Sequence, residues 1–210
     1  MMKRTFFFWD VETNGLPPGY KLDPTILPAW PHITELSFKV VDDEKKVLES
    51  YQQYIKPEGW TVPKEPFFLA RGYTTEMLME KGVPISEAMK AFVVARKSHP
   101  YSIAHNASFD RMMCRAELMR LGSDIDFKAK RICTMMASTE FCKIPSEKKA
   151  GYKWPKLEEL YRTLFNLEIK DAHTAGGDVD TLIECFFGLV EKGVIDLDKI
   201  DATPDKPKKA

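Results

Sequence analysis

The stretch Phe6-Phe7-Phe8-Trp9-Asp10-Val11-Glu12 joins a run of aromatic residues to two closely spaced carboxylates. Its aromatic content and short length favour a buried β-strand. Because side chains of a strand alternate between its two faces, Asp10 and Glu12 would project from the same face. Two neighbouring carboxylates stay jointly ionised only where cations hold them, and Mg²⁺ takes such oxygen ligands. The alternative is that Asp10 ends the strand and Thr13-Asn14-Gly15 forms its turn.

The composition is typical of a globular protein that works in water. Of the 210 residues, 44% are apolar and 30% are charged, which suits one domain with a substantial core. The 31 basic and 31 acidic residues cancel, so any phosphate-binding surface must be a local patch. No apolar run approaches the ~18 residues of a membrane span. The four cysteines lack metal-binding spacing and read as reduced thiols, so we expect a cytoplasmic protein without a membrane partner.

The order of predicted elements indicates the fold class. Strands are predicted over 4–11, 33–42, 47–55, 100–104 and 131–134. Helices are predicted over 74–81, 85–97, 107–121, 134–141, 156–167 and 177–192. This order predicts an α/β fold with a mixed β-sheet of about five strands, the first three antiparallel, flanked by helices. We expect a single domain over 1–200 and a disordered tail over 201–210.

A second group of candidate residues lies at a strand-to-helix junction, in His105-Asn106-Ala107-Ser108-Phe109-Asp110. Asp110 falls in the first helical turn, where the helix dipole favours a carboxylate for purely structural reasons. The same position would also point Asp110 at the end of the sheet, where α/β folds place their ligands. Asn106 or Ser108 could cap the helix instead, which would leave Asp110 available for a ligand.

The third group, His173-Thr174-Ala175-Gly176-Gly177-Asp178, enters the last long helix. Asp178 either neutralises the helix start or contributes another carboxylate to a site. His173 is either a surface residue or a group that takes a proton near neutral pH. Four carboxylates and one histidine thus lie at the ends of three different elements.

These three motifs carry a resemblance to a known family. Residues 8–16 resemble the first exonuclease motif of the DnaQ-like 3′–5′ exonucleases, and residues 105–110 resemble the second. His173 and Asp178 resemble the third motif in its histidine-containing, DEDDh form. The segment Lys156-Leu157-Glu158-Glu159-Leu160 is similar to the helix that precedes this motif. The resemblance runs in order from about Thr5 to Val190 and implies one exonuclease domain with a ribonuclease H-like fold.

The resemblance also implies roles for individual residues. Two Mg²⁺ or Mn²⁺ ions would activate a water and stabilise the departing 3′-oxygen. Their ligands would be four carboxylates: Asp10, Glu12, Asp110 and Asp178. His173 would be the general base. Glu12 and Thr13 would hold the terminal 3′-hydroxyl, Leu16 would wedge against the last base, and Asn106 and Phe109 would support the site.

The polar loop over 143–156 is a candidate substrate surface of a different kind. It contains five lysines interleaved with two aromatic residues, among them the pair Lys153 and Trp154. Lysines that reach phosphates and aromatic rings that stack on bases are typical of single-strand binding. The alternative is a solvated loop whose Trp154 packs into the core.

We therefore expect a metal-dependent 3′–5′ exonuclease that releases nucleoside 5′-monophosphates from DNA, preferably single-stranded. RNA 3′-end trimming and an inactive nucleic-acid-binding module are the alternatives. A polymerase or another replication protein is a further candidate partner. The proline-rich loop over 14–31 departs from the family pattern beside Leu16 and leaves substrate preference open.

Overall fold

The computed structural model describes residues 4–19, 24–123, 125, 130–148, 150–169 and 174–202. In this part of the chain, five strands form one mixed sheet in the order β3-β2-β1-β4-β5. The strands are β1 (Thr5–Thr13), β2 (Ile33–Asp42), β3 (Val47–Tyr54), β4 (Tyr101–Ala104) and β5 (Lys130–Cys133). The first three are antiparallel, whereas β4 and β5 continue the sheet in parallel. The predicted fold class is confirmed.

Helices cover both faces of this sheet. They are α1 (Pro66–Leu69), α2 (Thr75–Lys81), α3 (Ile85–Lys97), α4 (Ala107–Arg120), α5 (Thr134–Ala137), α6 (Thr139–Cys142), α7 (Leu157–Phe165), α8 (Ala175–Glu191) and α9 (Leu197–Ala202). A 3-10 helix over Pro24–Ala29 lies within the proline-rich loop. The sequence did not indicate this 3-10 helix, α1 or α9, and the helix predicted over 134–141 is two short helices. Helix α8 begins two residues before the predicted start because the Thr174 side chain accepts the Gly177 N–H at 3.1 Å.

The alternation of side chains along β1 divides the core into two clusters. Phe7 and Trp9 face α3, where both rings pack against Phe92. Phe6 and Phe8 point to the opposite face, and the centroid of each ring lies 5.2 Å from that of Phe186 on α8. Aromatic contacts on both faces fix β1 as the central strand of the sheet, with α8 lying across it.

Two boundary predictions need correction. β1 continues through Thr13 and pairs with β2 along its whole length, so the interpretation that Asp10 ends the strand is wrong. At the other end of the chain, α9 includes Asp201, which accepts hydrogen bonds from Arg4 and Tyr101. The predicted disordered tail therefore begins too early, and residues 203–210 lie outside the described residues. Among the described helices, none is both long and apolar enough to cross a membrane.

Candidate functional site

Three carboxylates meet where the first turn of α8 crosses the C-terminal end of β1. Asp10 and Glu12 continue the face of β1 that carries Phe8, and this face is covered by α8. Asp178 lies in the first turn of α8, about two helical turns before Phe186, and therefore on the same side of the helix. One carboxylate oxygen from each of Asp10, Glu12 and Asp178 lies within 4.8 Å of the others.

The fourth predicted carboxylate, Asp110, lies beneath this group in the first turn of α4. Its side chain is 1% exposed, and Oδ1 accepts the backbone N–H of Val11 at 3.4 Å. The other oxygen, Oδ2, is buried and has no hydrogen-bond partner among the residues that the structure describes. Asp110 is not one of the three carboxylates within mutual reach. Its charge nevertheless raises the pKa of Asp10, so the two groups are close neighbours.

The capping interpretation for Asn106 is wrong. Asn106 occupies the N-cap position of α4 with a left-handed backbone (φ 66°), but its side chain makes no capping hydrogen bond. Ser108 lies inside the helix and is not its N-cap. Asp110 does not serve as the cap either, because it belongs to the first turn and its Oδ1 bonds to β1. The carboxylate thus links α4 to the central strand.

The cluster is electrostatically unfavourable by itself. Burial raises the pKa of Asp10 well above its ordinary value, and the charges of Asp110, Glu12 and Asp178 raise it further. The pKa of Glu12 is raised to about 7, first by burial and then by Asp178 and Glu35. Burial also raises the pKa of Asp110. Like charges at this spacing take up protons unless cations replace them.

The donor set fits a divalent cation. Carboxylate oxygens are the hard ligands that Mg²⁺ and Mn²⁺ take, and three of them are within mutual reach here. The buried, unpaired Oδ2 of Asp110 adds a polar atom that a cation or its hydration shell would satisfy. Asp10, Glu12 and Asp178 would hold the ion directly, with Asp110 next to them.

The sequence did not indicate Glu35 or Arg71 as residues of this site. Glu35 on β2 lies directly opposite Glu12 in the β1–β2 ladder and is fully buried. Arg71 precedes α2, stacks its guanidinium 3.7 Å from the Phe67 ring centroid, and is close enough for its charge to lower the pKa of Glu12. Glu35 is the one charged residue among the first six of β2, and this was a visible signal for it. The pairing of Glu35 with Glu12 depends on the register between β1 and β2, which cannot be read from the sequence.

The predicted substrate-binding residues differ in exposure. Leu16 is 84% exposed, whereas Phe109 is partly buried against the core cluster of Phe7 and Trp9. The Thr13 hydroxyl donates to the Gly15 carbonyl at 2.7 Å, and this bond shapes the turn after β1. His173 lies outside the described residues.

The loop before α7 is held next to the site by a hydrogen bond to Pro155. His105 at the end of β4 is hydrogen-bonded through Nε2 to the Pro155 carbonyl oxygen, with 2.9 Å between the two atoms. Trp154 is 54% exposed, so the alternative in which it packs into the core is wrong. Lys153 forms an ion pair with Glu159 at 2.5 Å. Trp154 therefore presents an aromatic surface to solvent next to the second motif, while the charge of Lys153 is partly neutralised.

Comparisons with known proteins support the motif analysis. The chain is 27% identical over 198 residues to mouse Three prime repair exonuclease 2, which covers 87% of this chain and 82% of that protein. The structure of this chain is similar to that of Escherichia coli Exonuclease I in complex with a dT13 oligonucleotide (TM-score 0.68, 21% identity, 90% of this chain). It is also similar to the nuclease domain of 3′hExo, a DEDDh family member bound to rAMP (TM-score 0.67, 14% identity, 92% of this chain and 94% of that one).

The resemblance to DnaQ-like, DEDDh-type exonucleases is confirmed. The two structural likenesses show the fold, and the chain spans 41% of the length of the Exonuclease I chain. No protein-family model matches the sequence. Of the four acidic residues in the three motifs, Asp10, Glu12 and Asp178 lie together at the C-terminal end of β1, and Asp110 bonds to Val11 of the same strand.

Proposed function

We propose that the chain is a metal-dependent 3′–5′ exonuclease that releases nucleoside 5′-monophosphates from DNA, preferably single-stranded. The observation that carries the proposal is the convergence of Asp10, Glu12 and Asp178 on one point, above the unpaired buried oxygen of Asp110. A structural role does not account for like charges gathered at this density, because they destabilise the fold that holds them.

The roles of the residues follow from their positions. Two Mg²⁺ or Mn²⁺ ions, when bound, would acidify the attacking water and stabilise the departing 3′-oxygen. Asp10, Glu12 and Asp178 would hold these ions at the end of β1, and Asp110 would hold α4 against Val11. His173, on the approach to α8, would accept the proton of the attacking water as the phosphorus–O3′ bond breaks.

Substrate contacts would come from the exposed residues around this centre. Leu16 is exposed enough to wedge against the terminal base. Trp154, tied to the second motif through Pro155 and His105, would stack on a base further along the strand. Stacking is tolerant of base identity, which suits an enzyme that removes successive nucleotides. A polymerase or other replication protein would be the partner that supplies the 3′ ends.

RNA is the second candidate substrate. It is favoured by the similarity to the 3′hExo nuclease domain, whose structure contains rAMP. The carboxylates and His173 would serve either chemistry, so discrimination would lie in the contacts to the sugar. An inactive binding module is less compatible with the chain, since loss of hydrolysis would leave no reason to retain the four crowded carboxylates.

The test is hydrolysis of oligonucleotides of one sequence, labelled at the 5′ end, as single-stranded DNA, duplex DNA and RNA. We expect a ladder that shortens from the 3′ end with Mg²⁺, no products with EDTA, and the highest rate on single-stranded DNA. Faster shortening of RNA would reverse the order of the two candidates. Intact substrates under all metal conditions would contradict the proposal.

A further inference from the structure

Glu35 is a buried carboxylate that the proposed chemistry does not use. It is 0% exposed, and it shares the face of the sheet that carries Glu12 and is covered by α8. Its Oε1 accepts the Gln52 side-chain amide at 2.7 Å, and Oε2 accepts both the Tyr73 hydroxyl and the Ala175 backbone N–H. Since both oxygens are occupied by donors from the protein, Glu35 is not suited to be a metal ligand itself.

The three donors come from three different parts of the fold. Gln52 belongs to β3, Tyr73 precedes α2, and Ala175 is the first residue of α8. The N–H groups in the first turn of a helix have no partner within the helix, and Glu35 satisfies that of Ala175 at 3.3 Å. A carboxylate at this end also interacts favourably with the helix dipole. Glu35 therefore fixes the N-terminus of α8 to the sheet.

Gly176 shows how tight this junction is. A Cβ atom added to Gly176 would overlap the side-chain amide of Gln52, the same amide that donates to Glu35. The first turn of α8 therefore packs directly against the Gln52 side chain of β3. The Glu35 hydrogen bonds prevent it from moving away.

We propose that Glu35 is a positioning residue of the metal centre, fixing the first turn of α8 so that Asp178 meets Asp10 and Glu12. The inference rests on the proposed function, because it assigns Glu35 a role in building that same site. Asp178 follows Ala175 by three residues, within one helical turn, so a displacement of the helix start moves its carboxylate directly. Residues that orient metal ligands in this way typically change metal affinity by about 10–100-fold.

The matched control is Asp42, at the opposite end of the same strand. Asp42 is also buried and accepts two hydrogen bonds, from the backbone N–H groups of Glu44 and Lys46. It pairs with Thr5 at the start of β1, away from the carboxylate cluster. Asp42→Asn and Glu35→Gln therefore make the same chemical change in two buried carboxylates, and Glu35 is the one that accepts the Ala175 N–H at the start of α8.

The experiment is titration of the full chain with Mn²⁺ in the absence of nucleic acid, with unbound Mn²⁺ measured by electron paramagnetic resonance. In Glu35→Gln an amide donor faces the donors of Tyr73, Gln52 or Ala175, so we expect Mn²⁺ to bind about 10–100-fold more weakly. Asp42→Asn should lose stability and keep wild-type affinity. A folded Glu35→Gln variant with wild-type Mn²⁺ affinity would overturn the inference while leaving the proposed function intact.

A second variant covers the case in which Glu35→Gln does not fold. Gly176→Ala leaves every charge in place but displaces the Gln52 amide, which packs on the first turn of α8 and donates to Glu35. Weaker Mn²⁺ binding by folded Gly176→Ala supports the inference, and unchanged binding overturns it. A wild-type chain that binds no Mn²⁺ would contradict the proposed function itself.

Discussion

Along one face of β1, Phe6 and Phe8 pack against Phe186 of α8, whereas the next two residues on that face, Asp10 and Glu12, meet Asp178 of the same helix. The strand, the face and the helix are shared, but the physical chemistry is opposite. Aromatic pairs stabilise the first half, each by about 0.5–1.5 kcal/mol beyond burial of area. Like charges destabilise the second half until cations bind.

The comparison indicates how the fold tolerates its own site. The aromatic half fixes the distance and direction of α8 across β1, and the acidic half then receives Asp178 at a set position. Glu35 adds a second attachment at the N-terminus of the helix. The carboxylates can therefore remain crowded without displacing the elements that carry them.

The largest expected effect is loss of hydrolysis in Asp10→Asn. The variant removes one charge from the centre and keeps the shape of the side chain, so the apo protein should also become more stable. Release of a labelled 5′-monophosphate and the midpoint of thermal unfolding measure the two effects. Asp42→Asn is the control, and it should retain turnover. If Asp10→Asn turned over substrate at nearly the wild-type rate, the acidic half of the β1–α8 interface would not take part in hydrolysis.

His173→Ala should lower turnover by roughly 10²–10⁴-fold, the usual contribution of a general base. The carboxylates would remain, so Mn²⁺ binding should be unchanged. The deficit should shrink at high pH, where hydroxide is more available. Single-turnover rates between pH 6 and 9 measure this, and a profile parallel to that of the wild type would exclude His173 from proton transfer.

In the aromatic half, Phe8→Ala should cost roughly 3–5 kcal/mol in the free energy of unfolding, the usual loss for a large buried ring. Phe8→Leu, which fills most of the space, should cost less. Both effects are read from denaturant unfolding curves. The contrast with Asp10→Asn is one of sign, since truncation in one half destabilises and charge removal in the other half stabilises. A gain in stability in Phe8→Ala would invalidate the comparison.

A smaller effect is expected from Trp154, which is exposed in the loop before α7, next to the second motif. Trp154→Ala should weaken single-stranded DNA binding by roughly 1–3 kcal/mol, the contribution of one stacked base, and leave the single-turnover rate unchanged. Leu48→Ala on β3 is the control, because Leu48 is similarly exposed near the other end of the sheet. Lys153→Ala should add little, since Lys153 already pairs with Glu159. An unchanged KM in Trp154→Ala would mean that the substrate strand does not contact Trp154, and the proline-rich loop would be the next candidate surface.

How much of this the sequence predicted depends on the range of the interactions. The alternation in β1 and the motif order were sufficient for the sheet and for the positions of Asp10, Glu12, Asp110 and Asp178. Local patterns also matched the bounds of β2 and α3. These features depend on residues that are close in sequence.

The features that the sequence did not reveal depend on distant contacts. Glu35 belongs to the site only because the β1–β2 register places it opposite Glu12 and because α8 begins above it. Asp201 is ordered through hydrogen bonds to Arg4 and Tyr101, far away along the chain. Composition alone could not show that this residue belongs to a helix rather than starting a tail.

The pH dependence of stability follows from the raised pKa values. The folded Glu12 carboxyl, with its pKa near 7 rather than 4.5, binds protons more readily than the unfolded one, so its contribution falls as pH rises through this window. Asp10 and Asp110 act in the same direction. His105 acts in the opposite direction at lower pH, because burial lowers its pKa to about 4. His105 contributes equally to the stability of the metal-bound and the metal-free protein, so its contribution cancels when the two stabilities are subtracted.

The most direct test of the central claim, that this half of the β1–α8 interface is built for divalent cations, is the shift in unfolding midpoint caused by Mg²⁺ at pH 6 and pH 8. Magnesium must displace protons from the carboxylates at pH 6 and fewer at pH 8, so affinity and stabilisation increase with pH. We predict a larger upward shift at pH 8, and little shift at either pH in Asp10→Asn. No shift in the wild type, or one equal at both pH values and retained in Asp10→Asn, would contradict the account.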